Sequence, residues 1–215
     1  MLDRYVIPVI KKPLDVAAKQ CIKRIISADQ VTVVSFVFGI LAVPVLWGQF
    51  YLLALVLIAL NRIGDGLDGA IARQTRTSDS GGFLDISLDF LFYALIPFGF
   101  ILANPEQNAI WGALLIVSFV GTGSSFLAFA SIAGKRKIQN PVYQNKSLYY
   151  MSGITEGTET IGFFIAFCIW PHYFPTLAGV FAALCILTTF NRIWAGYRTI
   201  KLAESNSEKP VENEE

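Results

Sequence analysis

Asp65, Asp68, Asp85 and Asp89 form two pairs, spaced three and four residues apart, within long apolar stretches. Such spacing sets each pair on one helix face, and a carboxylate inside an apolar helix needs a reason to be there. The segment between the pairs is short, so two antiparallel neighbouring helices would bring both faces together near one membrane surface. Four carboxylates do not share a site as bare anions: either most are protonated or cations bind among them. An all-oxygen set without His or Cys favours a hard cation, Mg²⁺, Mn²⁺ or Ca²⁺. Small residues surround the acids, namely Gly64, Gly66, Gly69, Ala70, Ala72, Gly81 and Gly82. They allow a ligand close to the backbone, and equally allow plain packing of membrane helices. Arg73, adjacent to them, offers a guanidinium suited to phosphate or snorkels to the interface.

The elements that must position these residues are membrane helices. Of 215 residues, 54% are hydrophobic and 15% charged, against about 25% charged in an ordinary soluble domain. Mean hydropathy is +0.53. A spanning helix needs about 20 apolar residues, and six windows qualify: Val31–Trp47, Tyr51–Ala72, Gly82–Ala103, Ala109–Gly134, Ser147–Trp170 and Phe174–Ile200. Gly48–Phe50, Asn104–Asn108 and Pro171–Tyr173 read as the short turns on one side. With six alternating spans, all 17 Lys and Arg residues fall on the opposite side, which the positive-inside rule makes cytoplasmic, together with both termini. No secretory signal precedes the first span. A net charge of +1 excludes a global basic field for nucleic acid, and Cys21, Cys168 and Cys185 read as reduced thiols.

Residues 1–30 read as a cytoplasmic interfacial helix. Leu14, Ala18, Cys21, Ile22 and Ile25 recur at helical spacing with Lys12, Lys19, Lys23 and Arg24 elsewhere on the wheel, and Pro13 suits the first turn. That helix lies on anionic lipid or on the protein's own cytoplasmic surface. Residues 31–202 form the six-helix transmembrane domain, and 203–215 an acidic tail without fixed structure. The expected fold is therefore all-α and integral to the membrane.

Two further groups have chemistry to offer. Glu156 and Glu159, with Thr155 and Thr158, fall inside the fifth span, where lipid would punish them unless they line a polar cavity. Lys135, Arg136, Lys137 and Lys146 flank spans four and five at the cytoplasmic face. They suit a phosphorylated acceptor, or are the ordinary basic flanks of cytoplasmic helix ends.

The acidic segment resembles the CDP-alcohol phosphatidyltransferases, whose pattern is D-x2-D-G-x2-A-R-x8-G-x3-D-x3-D. Here it reads Asp65-Gly-Leu-Asp68-Gly69-Ala-Ile-Ala72-Arg73, seven residues, then Gly81-Gly-Phe-Leu-Asp85-Ile-Ser-Leu-Asp89. All eight specified positions are filled, and the only departure is a gap of seven rather than eight in the loop. The resemblance implies a bacterial inner-membrane enzyme that transfers a substituted phosphate from a lipid-linked CDP-alcohol, expected to be CDP-diacylglycerol, to a polar alcohol. Glycerol phosphate, inositol or an inositol phosphate would be the acceptor, and CMP the leaving group. It implies two divalent ions, Mg²⁺ or Mn²⁺, with Asp65, Asp68 and Asp85 as ligands. Asp89 would be a ligand of the second ion and the general base. Gly69, Ala72 and Arg73 would contact the nucleotide and its phosphates. Asp29, Gln30 and Thr32 resemble the family's cytidine-contacting segment, although Asp29 or Ser27 suits an N-cap equally well; Ser78 or Thr77 is a further donor contact. Lys135, Arg136, Lys146, Glu156 and Glu159 are the candidate acceptor contacts. The resemblance also implies a homodimer, for which Gly121, Gly123, Ser125 and Ser131 of span four offer small residues. A cation-coupled transporter with an intramembrane carboxylate site is the competing reading; the sequence lacks the internal repeat that such folds often carry.

Overall fold

The computed structural model describes residues 3–136 and 155–207. Among these the chain is a succession of helices without a strand: α1 (Asp3–Lys23), α2 (Ala28–Trp47), α3 (Tyr51–Gln74), α4 (Asp79–Ala103), α5 (Pro105–Lys135), α6 (Gly157–Ile169) and α7 (Phe174–Ser207). Among the described residues, four stretches are long and apolar enough to cross a membrane, namely α2, α4, α5 and Pro171–Ser205. α3 has 24 residues, about 36 Å at 1.5 Å per residue, but carries the charges of the acidic site. The described part of α6 has 13 residues. Lys137, Lys146, Gly153 and the tail beyond Ser207 lie outside the described residues.

Several boundaries differ from the sequence reading. α1 begins at Asp3, so Pro13 sits within the helix instead of opening it. Its apolar stripe packs on the protein: Ala18 is buried against Ala70 and Ile71 of α3, with Leu14, Cys21 and Ile22 alongside. Gly66 is what allows this approach, since a Cβ there would stand 2.8 Å from Leu14 Cδ1. Ile25 is not part of the stripe. It follows the helix at φ 61°, 92% exposed, where Ile26 N–H reaches Cys21 O and Ile25 N–H reaches Ile22 O. This is a Schellman-type stop that usually employs glycine. The Asn104–Asn108 turn shrinks to Asn104 alone, because Pro105 opens α5 and Asn104 caps it. Pro171–Tyr173 forms a 3₁₀ turn. The tail expected from residue 203 is helical to Ser207.

Aromatic residues hold the bundle together away from the acidic end. Phe92, Phe100, Phe164, Phe167, Phe174 and Phe181 are all fully buried. Phe100 stacks on Phe174 at 4.7 Å, and Phe163 on Phe181 at 4.3 Å; such pairs add about 0.5–1.5 kcal/mol each beyond area burial. The outside is apolar as well: Leu52, Ile110, Val117, Phe190 and Trp194 are all more than half exposed, as a lipid-facing surface requires. Gly121 and Gly123 do not face outward. They receive Thr189 of α7 and Phe90 of α4, so these glycines serve packing within the chain.

Candidate active site

α2, α3 and α4 converge on the four aspartates. Asp65 and Asp68 come from the last turns of α3, and Asp85 and Asp89 from the first turns of α4. The helices are drawn together by small groups. Gly64 abuts Ser35 of α2 so closely that a Cβ would overlap the serine side chain. Asn61 Nδ2 donates to Ser35 O at 2.8 Å. Thr32 of α2 donates its hydroxyl to Asp68 Oδ2 at 2.6 Å, and both residues are buried.

The four acids line a cavity of about 10 Å³, shared with Thr32 and Arg62, room for roughly one water-sized particle. Arg62 Nη1 lies 2.6 Å from Asp89 Oδ1 and 3.7 Å from Asp65 Oδ1. Sequence reasoning counted Arg62 only as a cytoplasmic charge; an arginine one turn before Asp65 within an apolar run was the signal available. Among the described residues, no three carboxylates converge on a single point as they stand. The donor set nevertheless fits a divalent ion in kind. It is all oxygen, anionic, and gathered around a space of ion size.

A second cavity, of about 130 Å³, shares Thr32, Asp68 and Asp85 with the first. Asp29, Gly69, Ala72, Ser78 and Gly81 line it too, as does Arg76, which the sequence reading did not single out. Ser27 takes the N-cap of α2 in a capping box with Gln30, which leaves Asp29 to the cavity and withdraws Gln30 from it. Ser78 caps α4 by accepting from Gly81 N–H at 3.1 Å. A Cβ on Gly81 would stand 3.0 Å from both Asp29 Oδ1 and Ser78 Oγ. Arg73 does not line the cavity; its Nη1 lies 3.1 Å from where a Cβ on Gly69 would stand, so it folds back along α3.

A third cavity of about 180 Å³ opens between α4, α5, α6 and α7, with Tyr93, Thr122, Thr155, Glu156, Thr160 and Arg192 in its wall. Arg192 Nη1 donates to Thr122 O at 3.2 Å. Of the expected acceptor residues, Glu156 is at this cavity. Glu159 is not in its wall, and accepts from Glu156 N–H at 3.1 Å to cap α6. The two acids therefore stand at a helix start and not in mid-span. Arg136 pairs with Glu204 at 2.8 Å away from the cavity, Lys135 is exposed at the end of α5, and Lys146 lies outside the described residues.

Among the described residues the chain is all-helical; α3 and α4 each present a pair of acids to one small cavity while packing chiefly on α2, and a larger cavity shares Asp68 and Asp85 with it. The profile of the CDP-alcohol phosphatidyltransferase family matches residues 25–194, and the chain belongs to that family. It is 56% identical over 201 residues to the inner membrane protein YnjF of Escherichia coli K12, covering 94% of this chain and 98% of that one. It is also 38% identical over 114 residues to the archaetidylinositol phosphate synthase of Pyrococcus horikoshii, covering 53% of this chain and 61% of that protein. The chain is accordingly an integral inner membrane protein and an enzyme of phosphatidyl transfer in phospholipid synthesis, which sets aside the transporter reading.

Proposed function

We propose that the protein transfers the lipid-side phosphate of CDP-diacylglycerol to a hydroxyl of a small polar acceptor and releases CMP. The observation that carries this reading is the shared wall. Thr32, Asp68 and Asp85 belong both to the acidic cavity and to the larger one beside it, so a pyrophosphate entering the larger cavity would meet the carboxylate site directly.

In this reading Asp65, Asp68, Asp85 and Asp89 would hold Mg²⁺ or Mn²⁺, which when bound neutralises the pyrophosphate and stabilises the leaving oxygen. Thr32 fixes the rotamer of Asp68 through its hydroxyl. Asp29, Gly69, Ala72 and Ser78 receive the cytidine end, with Arg76 the arginine in the cavity wall for the phosphates. The acceptor occupies the α4–α7 cavity, whose Glu156, Thr155 and Arg192 suit a polyol bearing an anionic group. Asp89 lies on α4 between the two spaces: Asp85 borders the donor cavity, and Phe90 and Tyr93 border the other. The acceptor oxygen attacks the lipid-side phosphorus, its proton passes to Asp89, and the bond to the bridging oxygen breaks with its electron pair leaving on CMP. Arg62 engages Asp89 Oδ1 and so holds that carboxylate in place.

The same reading has α2 to α7 spanning the membrane six times, with the acidic end and both termini in the cytoplasm, and the enzyme acting as a homodimer. Acceptor-dependent CMP release by purified protein tests it, with glycerol phosphate, inositol and inositol phosphate offered in turn. One acceptor should support turnover at least tenfold above the others, and no release with any polyol or polyol phosphate would overturn it.

A further inference from the structure

Arg62 is a residue of the acidic site that the transfer chemistry does not itself call for. It is held there by more than its carboxylate contacts. The side chain is only 14% exposed, and its Nε donates to Asn61 Oδ1 at 2.7 Å. Asn61 is itself anchored on Ser35 O. The guanidinium carbon lies 4.3 Å from the centre of the Phe92 ring and 5.3 Å from that of Tyr93, and Nη1 lies 3.3 Å from Tyr93 Oη. Phe92 has little room to withdraw, because it packs onto Gly39, where a Cβ would stand 2.7 Å from the ring. A positive group fenced on one side by aromatic faces and on another by an amide is fixed against Asp89 and Asp65.

We propose that Arg62 is a built-in counter-cation of the carboxylate site, which competes with the divalent ion for Asp65 and Asp89 and thereby sets how weakly that ion is held. An ion bound by these acids either shares them with a guanidinium a few ångströms away, and is repelled by it, or displaces it from its aromatic seat. Both alternatives lower the affinity. Arg62 is thus a positioning residue: it fixes the Asp89 carboxylate and tunes the metal, and it does not touch the reacting atoms.

This inference rests on the reading of the aspartates as a metal site. The test is Mn²⁺ titration of the purified protein without donor, with free Mn²⁺ read by electron paramagnetic resonance. Arg62→Met should bind Mn²⁺ about tenfold or more tightly than the unaltered protein. Arg62→Lys, which keeps the charge but loses the Nε bond to Asn61 and the planar seat against Phe92 and Tyr93, should tighten it by a smaller factor and serves if the Met variant does not fold. Unchanged or weaker Mn²⁺ affinity in the folded variant overturns the proposal, even if its melting temperature falls, since a lower melting temperature alone marks a structural role. No Mn²⁺ bound by any of the three proteins removes the metal-site reading, and this proposal with it.

Discussion

Thr32→Val is the sharpest probe of how the fold organises the site. Valine nearly matches threonine in volume but lacks the hydroxyl that donates to Asp68 Oδ2 at 2.6 Å. Asp68 is 4% exposed, so the hydroxyl is a substantial part of what holds its carboxylate in place. A hydrogen bond to a charged group contributes about 1.5–3 kcal/mol. At about 1.4 kcal/mol per factor of ten, roughly 10–150-fold is the upper bound on the loss of Mg²⁺ affinity, because the bond also exists in the metal-free site and only the part that holds Asp68 ready for the ion counts. The assay is CMP release from CDP-diacylglycerol at fixed donor and acceptor, titrated with Mg²⁺. Thr32→Val should shift half-saturation upward within that bound, while Thr32→Ser stays within a few-fold. Thr32 also lines the donor cavity, and a role confined to donor contact would raise the donor KM with no change in Mg²⁺ dependence. That pattern would refute the reasoning.

Other substitutions separate roles within the same site. Asp89→Asn should lower kcat by about 10²–10⁴-fold, the usual share of general-base catalysis, with donor binding within several-fold of normal by equilibrium dialysis; Asp65→Asn should weaken donor and metal binding together. Gly64→Ala forces a methyl into Ser35 and should cost about 1–3 kcal/mol as overpacking, seen as a lower melting temperature in detergent. For topology, with Cys21 replaced by Ser, an impermeant thiol reagent on intact cells should label a cysteine at Gln107 and not one at Ser207. The opposite pattern would turn the site to the other face of the membrane.

What the sequence made legible follows how far each signal reaches along the chain. The two acidic pairs were readable because i, i+3 and i, i+4 spacing is a property of a single helix; the short connection suggested that α3 and α4 pack on each other, whereas each packs chiefly on α2 and their acids meet across a small cavity. The contacts that refine the site cross between helices, and one-dimensional spacing carries no such information. Arg62 turns from α3 to Asp89 on α4; Arg76 replaces Arg73 in the donor wall; Gln30 goes to a cap while its neighbour Asp29 goes to the cavity. Glu159 misled in the opposite sense. Its apparent depth in an apolar run suggested a ligand, whereas a helix beginning at Gly157 uses it to satisfy the Glu156 N–H. Gly121 and Gly123 likewise suggested a surface between copies, and are used up inside the chain by Thr189 and Phe90.

The central claim is that the lipid-side phosphate moves and CMP leaves, so the most direct measurement follows that phosphate. CDP-diacylglycerol labelled with ³²P only on the phosphate bonded to diacylglycerol is incubated with the purified protein, Mg²⁺ and the acceptor that supports turnover. The account predicts that all the label appears in a new phosphodiester lipid, that the CMP formed is unlabelled, and that EDTA abolishes both products. Label recovered in a nucleotide product, or label transfer undiminished by EDTA, would contradict it.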